Sequence, residues 1–164
     1  MVRGPFACPH LAVSRSQGGD VNRYKKTRTL SREDAAYIAG LIDGEGTIAL
    51  SRKHRQDNRQ LAISIANTET ALLEFVRNAT GVGKITRKRI AHPEHTPSMT
   101  YVVTNRQALA LLSQIAPYLR SYKARRADLV LEHYLRLTPR NGRYSTQQHI
   151  ERERFIDEFQ HIRP

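Results

Sequence analysis

Tryptophan is absent, cysteine occurs once and methionine twice. A lone Cys8 closes no internal disulfide and builds no thiolate zinc site by itself, which excludes a disulfide scaffold and a zinc finger. No continuous apolar run approaches the roughly 18 residues needed to cross a bilayer. No secretory h-region follows Met1. Acids are scarce too: Asp plus Glu number 15 against 27 Lys plus Arg, a formal net charge of +12 over 164 residues. A pI near 10.4 points to a polyanionic partner, most often nucleic acid. An acidic membrane surface would call for a basic amphipathic helix, and no strong one is visible. The apolar fraction of 39% is modest, yet at this length it closes a core for one domain or two small ones.

The charge is laid out unevenly. Residues 1–30 hold Gly4, Pro5, Pro9, Gly18 and Gly19, with basic side chains and the single acid Asp20. No apolar period survives there, so a basic, flexible N-terminal arm is expected. An organelle transit peptide has similar composition, but the apolar face it needs is patchy. Three further clusters follow: Arg52, Lys53, Arg55 and Arg59; Lys84, Arg87, Lys88 and Arg89; Arg120, Lys123, Arg125 and Arg126. Asp57 is the acid among them. A single charge run is usually a solvated face; three nearly acid-free runs beside element ends suggest a binding surface.

Ser31 with Asp34 three residues on resembles a capping box. Ala35 to Ile42 then reads as a helix that Gly44 and Gly46 terminate. Thr47 to Lys53 leans to strand, and a polar turn separates it from Gln60 to Ala66. There Leu61, Ile63 and Ile65 alternate with small or polar residues, the pattern of a strand with one buried face. Thr68 can cap a helix over 69–79, with Leu72, Leu73 and Val76 on one stripe. The stretches 84–90 and 99–104 form a second strand pair. Helices follow at 106–115, 121–137 and about 147–161, punctuated by Pro117 and Pro139. The order αββαββα with extra C-terminal helices defines an α+β domain over 31–164, its core about 33–137 and its helical extension 138–164. Helices on one face of an antiparallel sheet leave the other face open, and the Lys/Arg positions are expected there.

Residues 38–46 read Ile-Ala-Gly-Leu-Ile-Asp-Gly-Glu-Gly. This resembles the motif of the LAGLIDADG homing endonucleases, with Ile38, Gly44 and Glu45 as accepted variants. The resemblance extends through Leu61 to Thr70, Gly81-Val82-Gly83 and Pro117 to Leu131. It is nearest the single-motif members, which act as homodimers, and it implies an antiparallel-sheet saddle for DNA.

The motif also has a physical reading. Small residues at Ala36, Ala39 and Gly40 sit at helical spacing and permit close approach of a second helix, either within the chain or from a second copy. Only one such helix is present, so a second copy is the simpler partner. With Asp43 they form the expected dimer interface. Two helix C-termini meeting at a twofold axis bring two Glu45 carboxylates together, which is costly unless divalent cations lie between them. Bridging Mg²⁺ suits phosphodiester hydrolysis. Gly44 is expected to turn its carbonyl toward the metal at a φ reserved for glycine. The resemblance makes Glu45 the metal ligand and Asp43 structural. It places Asn67 and Lys123 in the catalytic set, although Asn67 equally suits N-capping and Lys123 a phosphate contact. A family arginine early in the second helix has no counterpart at Thr70, Ala71 or Leu72.

A two-stranded ribbon fits the major groove. Ser51, Lys53 and Arg55 are expected on one face of the first strand, and Gln60 and Ser64, with Ala62 and Ala66, on the second. Lys84, Thr86 and Lys88 are expected on the third, and Thr100 and Val102 on the fourth. Arg120, Arg125 and Arg126 are read as phosphate contacts. The expected function is a Mg²⁺-dependent, site-specific endonuclease acting as a homodimer on a long, pseudo-palindromic duplex. An RNA-splicing maturase, which would bind intron RNA, and a catalytically inactive DNA-binding regulator are the rivals on the same fold. No membrane partner is expected. The expected location is intracellular, in cytoplasm and nucleoid or an organelle matrix.

Overall fold

The computed structural model describes residues 25–52, 54–55, 57–87, 98–139 and 142–164. The expected arm up to residue 24, together with Lys53 and Lys88, lies outside the described residues.

Helix α1 (Arg32–Glu45) opens on Ser31, whose side chain accepts from the Asp34 amide at 3.0 Å, with Glu33 and Asp34 in the first turn. It closes at Gly46, whose N–H donates to Ile42 O. A Cβ on Gly46 would stand 2.6 Å from Ile42 Cα, so only glycine allows this helix-to-strand turn. Strands β1 (Gly46–Ser51) and β2 (Gln60–Asn67) follow, then α2 (Thr70–Thr80), β3 (Lys84–Arg87) and β4 (Met99–Thr104). Next come α3 (Asn105–Ile115), a 3₁₀ turn at Ala116–Tyr118, α4 (Tyr122–His133) and α5 (Thr146–His161).

The sheet is antiparallel with strand order β1-β2-β4-β3. Its register turns the sequence alternation into two surfaces. Ile48, Leu50, Leu61, Ile63, Ile65, Tyr101 and Val103 are buried on one face. That face packs against Ile38, Ala39 and Ile42 of α1, Leu73 and Val76 of α2, and Ala108, Leu111, Leu112 and Ile115 of α3 in one core. Phe155, Ile156 and Phe159 of α5 join this core together with Val130 of α4.

Three local expectations shift. Helix α2 begins at Thr70 with Glu69 as its N-cap, and the Glu69 amide donates to Asn67 Oδ1 at 2.8 Å; Thr68 does not do this work. Helix α4 ends at His133 and the chain leaves it through hydrogen-bonded turns. Residues 25–30, placed in the arm by composition, are fastened to the domain. Arg28 N donates to Thr80 O at 2.8 Å, and Leu30 N to Gln114 Oε1 at 2.8 Å.

Candidate nucleic-acid interface and catalytic end

Cross-strand pairing fixes which side chains share the open face. Thr47 lies opposite Ser64, which lies opposite Val102, which lies opposite Lys84. Ala66, Thr100 and Thr86 form the next row, Ala49, Ala62 and Thr104 another, and Ser51 pairs with Gln60. The sequence-selected Ser51, Gln60, Ser64, Lys84, Thr86 and Thr100 are therefore brought onto one surface. That surface differs from expectation in its charge. Among the described residues of the paired strands it carries one cation, Lys84, amid Ala, Ser and Thr. Arg52 and Arg55 are exposed at the β1–β2 turn, at the margin of the face. A floor of short side chains lets another surface approach the sheet closely.

Two arginines that composition assigned to the charged runs are held by the fold. Arg59 donates from Nη1 to Leu50 O at 3.1 Å. Arg126 donates to Ile48 O and Ile162 O, each at 3.0 Å, and lies over the Phe159 ring. Both pair the outer carbonyls of β1, protecting a sheet edge from association and fastening α4 and the segment after α5 to it. Arg120 and Arg125 have exposed side chains, with Arg125 Nη2 donating to Arg163 O at 3.3 Å.

The end of α1 is the chemically dense part. Asp43 accepts from Arg120 N at 2.7 Å, Ser121 Oγ at 2.6 Å and Ser121 N at 3.4 Å. Burial alone would raise its carboxyl pKa. The bonds from the Ser121 side chain and the two amides outweigh that, and the pKa falls below 3.8. Lys123 is 6% exposed, and its Nζ donates to Ile42 O at 2.7 Å and Asp43 O at 2.9 Å. Burial lowers the Lys123 pKa below 10.5; attraction to Asp43 opposes this, repulsion from Arg126 adds to it, and attraction to Glu45 opposes it. Two acids at a helix C-terminus would oppose the dipole. Here Lys123 caps those carbonyls, while Asp43 serves the positive start of α4.

Glu45 is exposed at the last position of α1. Since Gly46 pairs with Ile65, Glu45 lies at the same end of the sheet as Ala66 and Asn67. Gly44 keeps to the helix and shows no positive φ, contrary to expectation. Its carbonyl still belongs to the last turn, whose acceptors the helix itself does not satisfy. Asn67 caps the start of α2 through the Glu69 amide.

The small residues of α1 divide between two faces. Ala39 is fully buried in the chain's own core, whereas Ala36, Gly40 and Gly44 form an exposed stripe. A Cβ added at Gly40 or Gly44 meets nothing within 4 Å. Beside the stripe, exposed Tyr37 and Phe75 pack edge-to-face with centroids 5.4 Å apart.

A sequence model of the LAGLIDADG-like domain family matches residues 32–116, more than half of the chain, and the protein belongs to that family. Its fold is that of the LAGLIDADG homing endonucleases. The homing endonuclease I-CvuI, solved with its target in the presence of Ca, is similar with a TM-score of 0.66 at 19% identity, over 80% of this chain and 83% of that one. I-CvuI with the I-CreI target in the presence of Mg, the DNA not cleaved, gives 0.66 at 20%, over 81% and 85%. The group I intron-encoded homing endonuclease I-CeuI, complexed with DNA, gives 0.54 at 15%, over 80% and 68%.

Proposed function

We propose that the protein is a homing endonuclease that binds a long, pseudo-palindromic duplex as a homodimer and hydrolyses both strands with a divalent cation, Mg²⁺ in the simplest case. The observation that carries this is the placement of Glu45. It stands exposed beside buried Lys123, at the end of an open sheet face that a basic chain presents. Base edges would meet Ser51, Gln60, Ser64, Lys84, Thr86 and Thr100, and side chains at the margin would meet phosphates. The related endonucleases above were solved with DNA targets, which agrees with this partner.

The donor set suits a shared cation. Among the described residues no group of three or more His, Cys, Asp and Glu could hold a metal on one chain. Mg²⁺ typically binds through one or two carboxylates plus phosphate oxygens and water, and one Glu45 from each of two chains supplies that number. Glu45, with the Gly44 carbonyl, would hold the ion, which would polarise the scissile phosphate and lower the pKa of a bound water. Lys123 holds positive charge at the same end, fixed by two carbonyls. Asn67 stands at the base of β2, where its amide nitrogen can face the phosphate while Oδ1 caps α2.

Glu45→Gln preserves shape and removes the charge that would hold the cation. Cleavage in Mg²⁺ of a target selected from a random duplex library should fall by orders of magnitude, with DNA affinity level or higher. Equal cleavage by both proteins would remove Glu45 from the chemistry.

A further inference from the structure

Strand β3 begins at Lys84, opposite Val102, while β4 continues through Val103 and Thr104. The step leaves a notch of about 810 Å³ whose walls include Lys25, Arg28, Arg77, Lys84, Thr104 and Gln107 and no acidic residue. Because Lys84 belongs to the open sheet face, the notch adjoins that face at the β3 edge, across the sheet from β1.

The notch is built, in part, by the segment that composition read as tail. Thr27 Oγ1 donates to Gln107 O at 3.1 Å, and Gln107 Nε2 returns a bond to Lys25 O at 2.7 Å. Gln114 Nε2 donates to Arg28 O at 3.1 Å, and Arg28 Nη1 to Asn78 O at 3.0 Å. Gly81, at φ +69°, makes this docking possible: a Cβ there would stand 2.9 Å from Arg28 Nε. The left-handed glycine that ends α2 thus also admits Arg28 to the notch wall, while Gln107 holds Lys25 there. The side-chain partner of Arg28 is a neutral carbonyl, that of Asn78. Among the described residues the ion pairs are His133–Glu132, Arg136–Glu151 and His161–Asp157, so none of the four cations is neutralised by one.

We propose that this notch is a phosphate-gripping site for duplex DNA, taking backbone phosphates beyond the base-reading face through Lys25, Arg28 and Arg77, with Lys84 at the border between the two. The proposal rests on the endonuclease reading and adds a sequence-independent contact to it. An open, acid-free notch lined by several cations and adjoining the sheet suits the repeating charge of a polynucleotide backbone.

The test uses the full chain and a random-sequence duplex, with affinity measured by fluorescence anisotropy across a salt series. Wild type should show a log–log slope of roughly −9 if about ten phosphates are neutralised. The double variant Lys25→Gln/Arg77→Gln leaves Arg28 and its docking intact. Its slope should be shallower by about 1 to 2, since each phosphate contact contributes roughly 0.9. The control Arg32→Gln/Arg154→Gln removes the same net charge from exposed positions outside the notch and should leave the slope near wild type. Equal changes in both variants, or none in the notch variant while it melts like wild type, overturn the proposal and leave the endonuclease reading standing. A wild-type chain with no measurable duplex affinity overturns both.

Discussion

Asp43 and Lys123 each serve a helix other than their own. The Asp43 carboxylate caps the start of α4, and the Lys123 ammonium caps the end of α1. The pair therefore fixes where Glu45 stands without any direct bond to it. Asp43→Asn keeps the shape but removes the charge from its hydrogen bonds and should cost about 1–3 kcal/mol, read as a lower urea midpoint with an unchanged slope. The deficit should depend on pH. The Asp43 pKa in the fold is below 3.8, so its contribution is present above that value and is lost as pH falls through the lower folded value. Below it, wild type and Asp43→Asn should converge. Lys123 acts in the opposite window. Its folded pKa is below the ordinary 10.5, so folding releases a proton between the two values and stability rises with pH there. Identical midpoints for Asp43→Asn and wild type at neutral pH would show that Asp43 is not a brace.

Helix α1 has the periodicity of a core helix on one side and a row of small residues on the other. Ala35, Ile38, Ala39 and Ile42 are buried, and Ala36, Gly40 and Gly44 are exposed. The exposed row separates two effects that usually coincide. Gly40→Leu meets nothing inside the chain and replaces a poor helix former with a good one. Its monomer should melt at or above the wild-type temperature, while sedimentation at micromolar concentration should show loss of dimer. A Gly40→Leu chain that remains dimeric would place the interface elsewhere.

Elements of this kind were legible because their causes are local. Ser31 before Asp34, the alternation at Leu61, Ile63 and Ile65, and Gly81 after α2 each declare themselves within a few residues. Residues 25–30 and the arginines were not legible in this way. Arg126, read as a phosphate contact, and Arg59, a member of a basic run, each reach a strand carbonyl that only the tertiary fold brings near. Buried Arg152, 4% exposed, is a stronger case: it joins Leu137 O, the Tyr144 hydroxyl and Arg59 O. Charge patterning tells how many cations a chain carries and leaves open whether a guanidinium faces solvent or a carbonyl. Ala39 was ambiguous for the same reason, since a small residue suits a chain's own core as well as a partner helix.

At the scale of the whole molecule, the sheet divides the protein into a packed side and an open side. Ile63→Ala on the packed side should cost about 2–5 kcal/mol through lost burial and a cavity. Ser64→Thr or Thr100→Ser, one position or one strand away on the open side, should stay within about 0.5 kcal/mol. Thermal melting of these variants distinguishes the two sides, and comparable losses on both would contradict the division. The consequence reaches into how such a protein changes over generations. Positions 47, 62, 64, 66, 100 and 102 project away from the core, so their side chains can be exchanged together while the scaffold stays fixed. On the proposed function, a lineage carrying this sheet can drift toward a new target without passing through unfolded intermediates, and a library randomised at those positions should yield mostly folded variants of differing preference.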